Sequence, residues 1–326
     1  MARMTMVQAL NLALRQEMEK DDRVILLGED VGLDGGVFRV TDGLIQRFGE
    51  HRVVDTPLAE SAIAGMAIGM ALYGLRPVCE IQFSGFAYHS FHQLENHAAR
   101  LRRRTQGRLH VSMVLRAPYG GGVRALEHHS ESREAYWAHT PGLKMVIPSG
   151  PRNARALLVA AIRDPDPVIF YESKALYRAF REEVPEEEEV LPLGSPRIVR
   201  TGRDVTLIAY GAMLVPALAA ADRLRDEDGL EAEVIDLLTL SPLDDTLLAQ
   251  SVQRTGRAVI VHEAPRSFGP GAEIVARLME NAFYHLEAPI QRVTGYDIVI
   301  PSFSREKSYI PDAERIVRAA RKTRET

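Results

Sequence analysis

Cysteine is nearly absent. Cys79 is the one cysteine among 326 residues, so no disulfide can form within the chain, and a reducing compartment, the cytoplasm, is expected. Long apolar runs are missing too. The least polar stretch, "SAIAGMAIGMALYGL" (61–75), is bounded by Glu60 and Arg76. It falls short of the roughly 20 residues that a membrane-spanning helix needs. No excess of one charge exists: Lys and Arg number 40, Asp and Glu 44, and the net charge of -4 gives no electrostatic reason to expect a nucleic-acid partner. The phosphate-loop pattern G-x-x-x-x-G-K-[ST], a G-x-G-x-x-G after a strand and a G-x-S-x-G elbow are all absent. These absences argue against a self-contained nucleotide or dinucleotide site and against a serine hydrolase of that design.

What is present is alternation. "VILLG" (24–28), "PVCEIQF" (77–83), "VSMVLRAP" (111–118), "KMVIPS" (144–149) and "PVIFYE" (167–172) read as buried strands. Helical patterns near 61–73, 87–105 and 151–163 separate them. Apolar strands alternating with helices indicate an α/β fold with a mostly parallel sheet covered on both faces. At the N-terminus, "MARMTMVQALNLALRQEMEK" has the spacing of an amphipathic helix capped by Thr5, not of a signal peptide. The first domain is expected to span 1–180. "REEVPEEEEVLPLGSP" (181–196) is acidic, proline-bearing and aperiodic, and reads as a solvated linker. Strands at "VTLIAYG" (205–211), "EAEVIDL" (231–237), "RAVIVHE" (257–263) and "PIQRVTG" (289–295), with helices near 213–227, 244–253 and 271–286, define a second, smaller α/β domain over 197–326.

Several residues could carry chemistry. Glu60 opens the apolar helix. A carboxylate at a helix N-terminus is favoured by the macrodipole, which explains an exposed Glu well. It explains poorly a Glu that leads into a helix apolar all round, where a carboxylate that loses water needs a hydrogen-bonding partner. If that partner is a weakly basic ring nitrogen, Glu60 becomes an acid–base device. Gly65 and Gly69 form a GxxxG spacing that suits close approach at a subunit interface or within a core. "LEHHSESREAYWAH" (126–139) offers Glu127, His128, His129 and His139. Acid–base work by a loop histidine, a transition metal and a structural role all stay open; no HExxH or CxxC spacing supports the metal. His89 and His92 share a helix face and read as packing or interface residues. Arg100, Arg102, Arg103 and Arg104 at that helix's end read as a solvated or subunit-facing terminus, with an anionic ligand such as a phosphate or RNA as the alternative. The glycine-rich "GEDVGLDGG" (28–36) and "YGGGV" (119–123) read as tight turns.

Taken together, "GEDVG", "DTPLAE", "GMAIGMALYGLRPVCEIQF", "HHSESREAYWAHTPGLKMVIPS" and "AIRDPDPVIFYESKALYR" resemble the beta subunits of the thiamine-diphosphate-dependent 2-oxo acid dehydrogenases, across nearly the whole chain. The resemblance implies a transketolase-like pyrimidine-binding domain followed by a transketolase C-terminal-like domain. It implies that Glu60 hydrogen-bonds a nitrogen of the cofactor's aminopyrimidine ring and promotes the tautomer that deprotonates the thiazolium carbon. Phe86 matches an aromatic residue that packs on the pyrimidine, and Leu58 a residue near the cofactor. His129 matches a histidine that moves a proton when the acyl group passes to a lipoyl group. The Gly-Asp-Gly motif that holds diphosphate and Mg²⁺ is absent here, which fits a family that carries it on the alpha subunit. The implied assembly is an α₂β₂ heterotetramer whose second domain docks a lipoyl acyltransferase core. A potassium ion held near Met113, Ala161, Ile162, Asp164 and Asp166 is also implied, with Asp166 where the family usually has Asn. Glu131 stands where Gln is common, and its charge would raise the pKa of His129 if close enough. Within the family, the segments lean toward branched-chain and acetoin-type members, with pyruvate as the other substrate. A transketolase-like carbanion transferase and a non-catalytic scaffold are the competing readings.

Overall fold

The computed structural model describes residues 2–325, and the chain divides into two units. The first comprises the residues up to Tyr119 together with Tyr136–Leu193. The second comprises Gly120–Ala135 and the described residues from Gly194 onward. The insert Gly120–Ala135 therefore leaves the first unit in mid-sequence and packs with the second.

In the first unit six parallel strands run in the order Lys144–Val146, Val168–Ser173, Val114–Tyr119, Arg76–Glu80, Val24–Gly28 and Val53–Asp55. Every residue of Val24–Gly28, Val114–Tyr119 and Val168–Ser173 is buried, the signature of a parallel sheet covered on both faces. Helix Met6–Lys20 begins with a reciprocal cap, in which the Gln8 N–H donates to Thr5 Oγ1 and the Thr5 N–H to Gln8 Oε1. Helix Pro151–Arg163, with proline at its start, packs against it.

The helix expected over 87–105 is not uniform. Tyr88–Gln93 and Ala99–Arg104 are α-helical, but Leu94–Ala98 is a π-turn. That wider turn brings residues five apart into register, and the rings of His92 and His97 meet at 5.5 Å. The acidic stretch also differs from a merely solvated run. Glu182–Val184 pairs antiparallel with Ala2–Met4. Glu188 meets Lys20 and Arg163, and Glu189 meets Arg152 at 2.8 Å. Basic side chains on two helices thus neutralise it.

In the second unit Gln291–Gly295, Ala258–Pro265, Val205–Ala209 and Ala232–Asp236 are parallel, and Arg197–Arg200 adds an antiparallel edge. Helices Leu214–Asp228 and Ala313–Lys322 share an apolar core with this sheet, through Ala217, Leu224, Ile316 and Val317 among others. Both units are therefore α/β with mostly parallel sheets. Among the described residues no helix is long and apolar enough to cross a membrane.

Candidate active site

The carboxyl ends of parallel strands are where open α/β sheets place their ligands. In the first unit three acidic residues gather at or just beyond such ends: Glu29 after Val24–Gly28, Glu60 after Val53–Asp55, and Glu80 closing Arg76–Glu80. Glu60 is the first residue of helix Glu60–Leu72, and the preceding Ala59 supplies no side-chain cap. The free N–H groups of that first turn favour a carboxylate. Only 8% of Glu60 is exposed. Its backbone carbonyl accepts the Ser90 hydroxyl at 2.8 Å, while among the described residues no hydrogen bond or ion pair engages its carboxylate. An open cavity of about 580 Å³ lies against it, lined by Ala62, Gly65, Met66, His89 and Gln93 among others. A nearly buried carboxylate that faces space without a partner is what a ring nitrogen would complete.

Glu29, which the sequence reading passed over, belongs to this site. It is buried, and its carboxyl is pushed above the usual range, first by burial and then by the negative charge of Glu60 and of Asp30. Its signal was its place, an acid directly after a fully apolar strand. Behind the site Arg116 ties three strands together. Its Nη1 donates to Glu80 at 2.6 Å, and its Nε and Nη2 donate to the two oxygens of Glu172 at 2.6 and 2.8 Å. The Tyr177 hydroxyl completes Glu172 at 2.7 Å.

The other cofactor candidates sit on loops beside this edge. Leu58 is 77% exposed, two residues before Glu60. Phe86 is half-buried in a turn closed by its N–H to the Phe83 carbonyl, and the two rings meet edge-on at 5.9 Å. Neither lines the cavity beside Glu60. The outer face of the Glu60 helix is open: Met66, Gly69, Leu72 and Tyr73 are exposed, and a Cβ built on Gly69 would meet nothing within 4 Å.

His129 belongs to the second unit. It ends the turn Glu127–His129 and is half-buried, with its ring 4.2 Å from that of His128. Glu131, expected to act on His129, gives its carboxylate to Arg133 at 2.8 Å, which offsets its charge. Among the described residues no group of three or more His, Cys, Asp or Glu side chains is set to hold a metal.

The residues named for potassium flank the end of helix Pro151–Arg163 and the start of strand Val114–Tyr119. Met113 and Ile162 offer carbonyls that each accept one protein donor, from Val168 N–H at 3.0 Å and Arg76 Nη1 at 2.8 Å. The Ala161 carbonyl accepts the Asp164 N–H at 3.3 Å. A carbonyl has two lone pairs, so each keeps one. The Asp164 carboxylate is held by Lys144, and that of Asp166 by Arg102 at 2.8 Å. The Asp166 side chain is thus neutralised, and the departure from Asn leaves the backbone oxygens untouched. The donor set fits a monovalent ion bound by carbonyls.

Comparison with known proteins agrees with this fold. Residues 2–179 match the transketolase pyrimidine-binding domain, and residues 194–316 match the transketolase C-terminal domain. The pyruvate dehydrogenase E1 component subunit beta of Bacillus subtilis is 49% identical over 326 residues, covering 100% of both chains. The protein of that name from Acholeplasma laidlawii is 48% identical over 322 residues, covering 99% of this chain and 98% of its own. A solved "split gene transketolase, inactive beta4 tetramer" superposes with a TM-score of 0.81 at 22% identity, over 99% of this chain and 98% of that one, a likeness of fold. The chain belongs to the transketolase-like family of beta subunits of the thiamine-diphosphate-dependent 2-oxo acid dehydrogenases.

Proposed function

We propose that this chain supplies the pyrimidine-binding half of a split active site and works in the cytoplasm within an α₂β₂ heterotetramer. There it takes part in the oxidative decarboxylation of a 2-oxo acid and the reductive acylation of a lipoyl group. The Glu60 carboxylate carries this reading, since it is nearly buried, lacks a partner and faces an open cavity. Thiamine diphosphate, when bound, supplies the carbon nucleophile and the electron sink for decarboxylation. Glu60 would hold a proton at a ring nitrogen of that cofactor, and Leu58 and Phe86 would flank the ring. Glu29, whose carboxyl burial and Glu60 push upward, adds a second proton-holding group beside it. His129 would deliver a proton as the acyl group leaves for the lipoyl sulfur.

Mg²⁺ and the diphosphate fall to the alpha subunit, because this chain has no Gly-Asp-Gly motif. The exposed face of the Glu60 helix, with Gly65 and Gly69, supports its use as the subunit contact. The second domain docks the acyltransferase core. The names of the relatives favour pyruvate as the 2-oxo acid, with branched-chain acids next. Calorimetric titration of thiamine diphosphate with Mg²⁺ tests the split. The chain alone should give no saturable heat, the mixture with the alpha subunit should bind, and Glu60→Ala should weaken binding by the mixture. Tight binding by the isolated chain would defeat the proposal.

A further inference from the structure

The insert Gly120–Ala135 begins with three consecutive glycines, which the sequence alone marks only as a turn. In the second unit the Gly120 N–H donates to the Glu131 carbonyl at 3.1 Å, while the N–H groups of Gly121, Gly122 and Arg124 converge on two carboxylates. Gly121 donates to Glu263 Oε1 at 2.5 Å; Gly122 and Arg124 donate to the two oxygens of Glu306 at 2.9 and 3.0 Å. At the far end of the insert the Ser132 hydroxyl donates to the same Glu263 oxygen at 3.1 Å. Successive N–H groups arranged in this way form a nest for an anion. Here the anions are the protein's own side chains. Glycine is favoured: φ is +79° at Gly120 and +93° at Gly122, and a Cβ on Gly121 would lie 2.9 Å from Glu306 Oε1.

Glu263 and Glu306 are only 5% and 2% exposed, so these bonds replace hydration that burial has removed. Between the two anchored ends lies the turn Glu127–His129. Its backbone bonds are local, from the His129 N–H to Leu126 and from the Ser130 N–H to Glu127. Leu126 and Glu127 are exposed. The ends are held by buried charge, and the histidine pair rides between them.

We propose that Glu263 and Glu306 are positioning residues that clamp both ends of the insert and thereby fix where His128 and His129 are presented. The clamp stands on its own geometry; its bearing on catalysis rests on the role proposed above for His129. Glu306 uses both oxygens, one per N–H. Glu306→Gln is nearly isosteric but turns an amide N–H₂ toward one of those donors, so it breaks one bond and keeps the shape. Ser132→Ala removes one hold on the other end, where the Gly120 N–H also donates to the Glu131 carbonyl at 3.1 Å and Glu134 accepts the Tyr210 hydroxyl at 2.6 Å.

Amide hydrogen exchange on the assembled α₂β₂ enzyme tests this. In the parent enzyme Gly121, Gly122 and Arg124 should exchange slowly although their segment is a loop. Glu306→Gln should speed exchange across 121–129 by about tenfold, the loss of one charge-assisted bond, without altering the strands of either sheet. Acylation of a lipoyl domain should then fall by roughly tenfold to a hundredfold, and decarboxylation coupled to an artificial dye acceptor should fall much less. Fast exchange of these amides in the parent overturns the clamp without any variant. So does exchange across 121–129 that neither Glu306→Gln nor Ser132→Ala alters. Should exchange quicken as expected while His129→Ala leaves lipoyl acylation intact, the clamp stands and the role given to His129 falls.

Discussion

The Tyr210 hydroxyl donates to Oε1 of Glu134 at 2.6 Å, and both side chains are buried. The second oxygen of Glu134 has no hydrogen-bond partner among the described residues. Burial pushes this carboxyl up to about 7, against the pull of the Tyr210 bond, and the charge of Glu263 adds to the rise. A folded pKa above the ordinary 4.5 means that the folded chain binds this proton more tightly than the unfolded chain does. The stability it contributes is complete below that ordinary value and is lost as pH rises through about 7. Glu134→Gln cannot ionise. The melting temperature of this variant minus that of the parent should therefore climb from about pH 4.5 to about pH 7 and then level off. A difference that stays flat across that window would show that Glu134 is not held protonated.

Arg116 is 1% exposed between Glu80 and Glu172, which are also buried. Removing one partner of a buried charge cluster leaves the others uncompensated, at a cost of about 3–5 kcal/mol. Arg116→Met should lose about that much in urea unfolding at neutral pH. The deficit should shrink as the pH is lowered toward 5, where one stranded carboxyl can take up a proton. A deficit independent of pH would mean that lost packing, not charge, is responsible.

Gly69 lies on the open face of helix Glu60–Leu72, with room for a side chain. Gly69→Ala should stabilise the isolated chain by about 0.5–1 kcal/mol, because alanine is the better helix former. Gly69→Leu should leave the chain folded but prevent assembly with the alpha subunit, seen as separate species in sedimentation. Normal assembly of Gly69→Leu would remove this face from the interface.

Potassium should raise the melting temperature relative to sodium at equal ionic strength, because an ion that binds only the folded state stabilises it by mass action. Asp166→Asn should keep that difference, since the Asp166 side chain is engaged with Arg102. Identical melting in both salts would dismiss the ion.

Much of this was legible in the sequence because it is local. The buried strands announce themselves as unbroken apolar runs, and Thr5 and Pro151 mark helix starts. Strands Val53–Asp55 and Arg197–Arg200 were missed: one is three residues long, and the other is an exposed edge with alternating burial. The π-turn at Leu94–Ala98 leaves no trace in apolar spacing. Glu60, Phe86 and His129 came from family resemblance more than from pattern. Glu29 and the Arg116 cluster were not found, since Arg116 reaches acids 36 and 56 residues away. The three glycines at 120–122 read only as a tight turn, because the anions met by Gly121 and Gly122, Glu263 and Glu306, lie more than a hundred residues downstream.

A split active site that turns on Glu60 is the function proposed for this chain. It is tested most directly by decarboxylation of pyruvate and of 3-methyl-2-oxobutanoate, with thiamine diphosphate and Mg²⁺ present. This chain should be inactive alone and active with its alpha subunit, and Glu60→Ala should abolish the activity of the mixture. Turnover by this chain alone, or full activity of the Glu60→Ala mixture, would contradict the account.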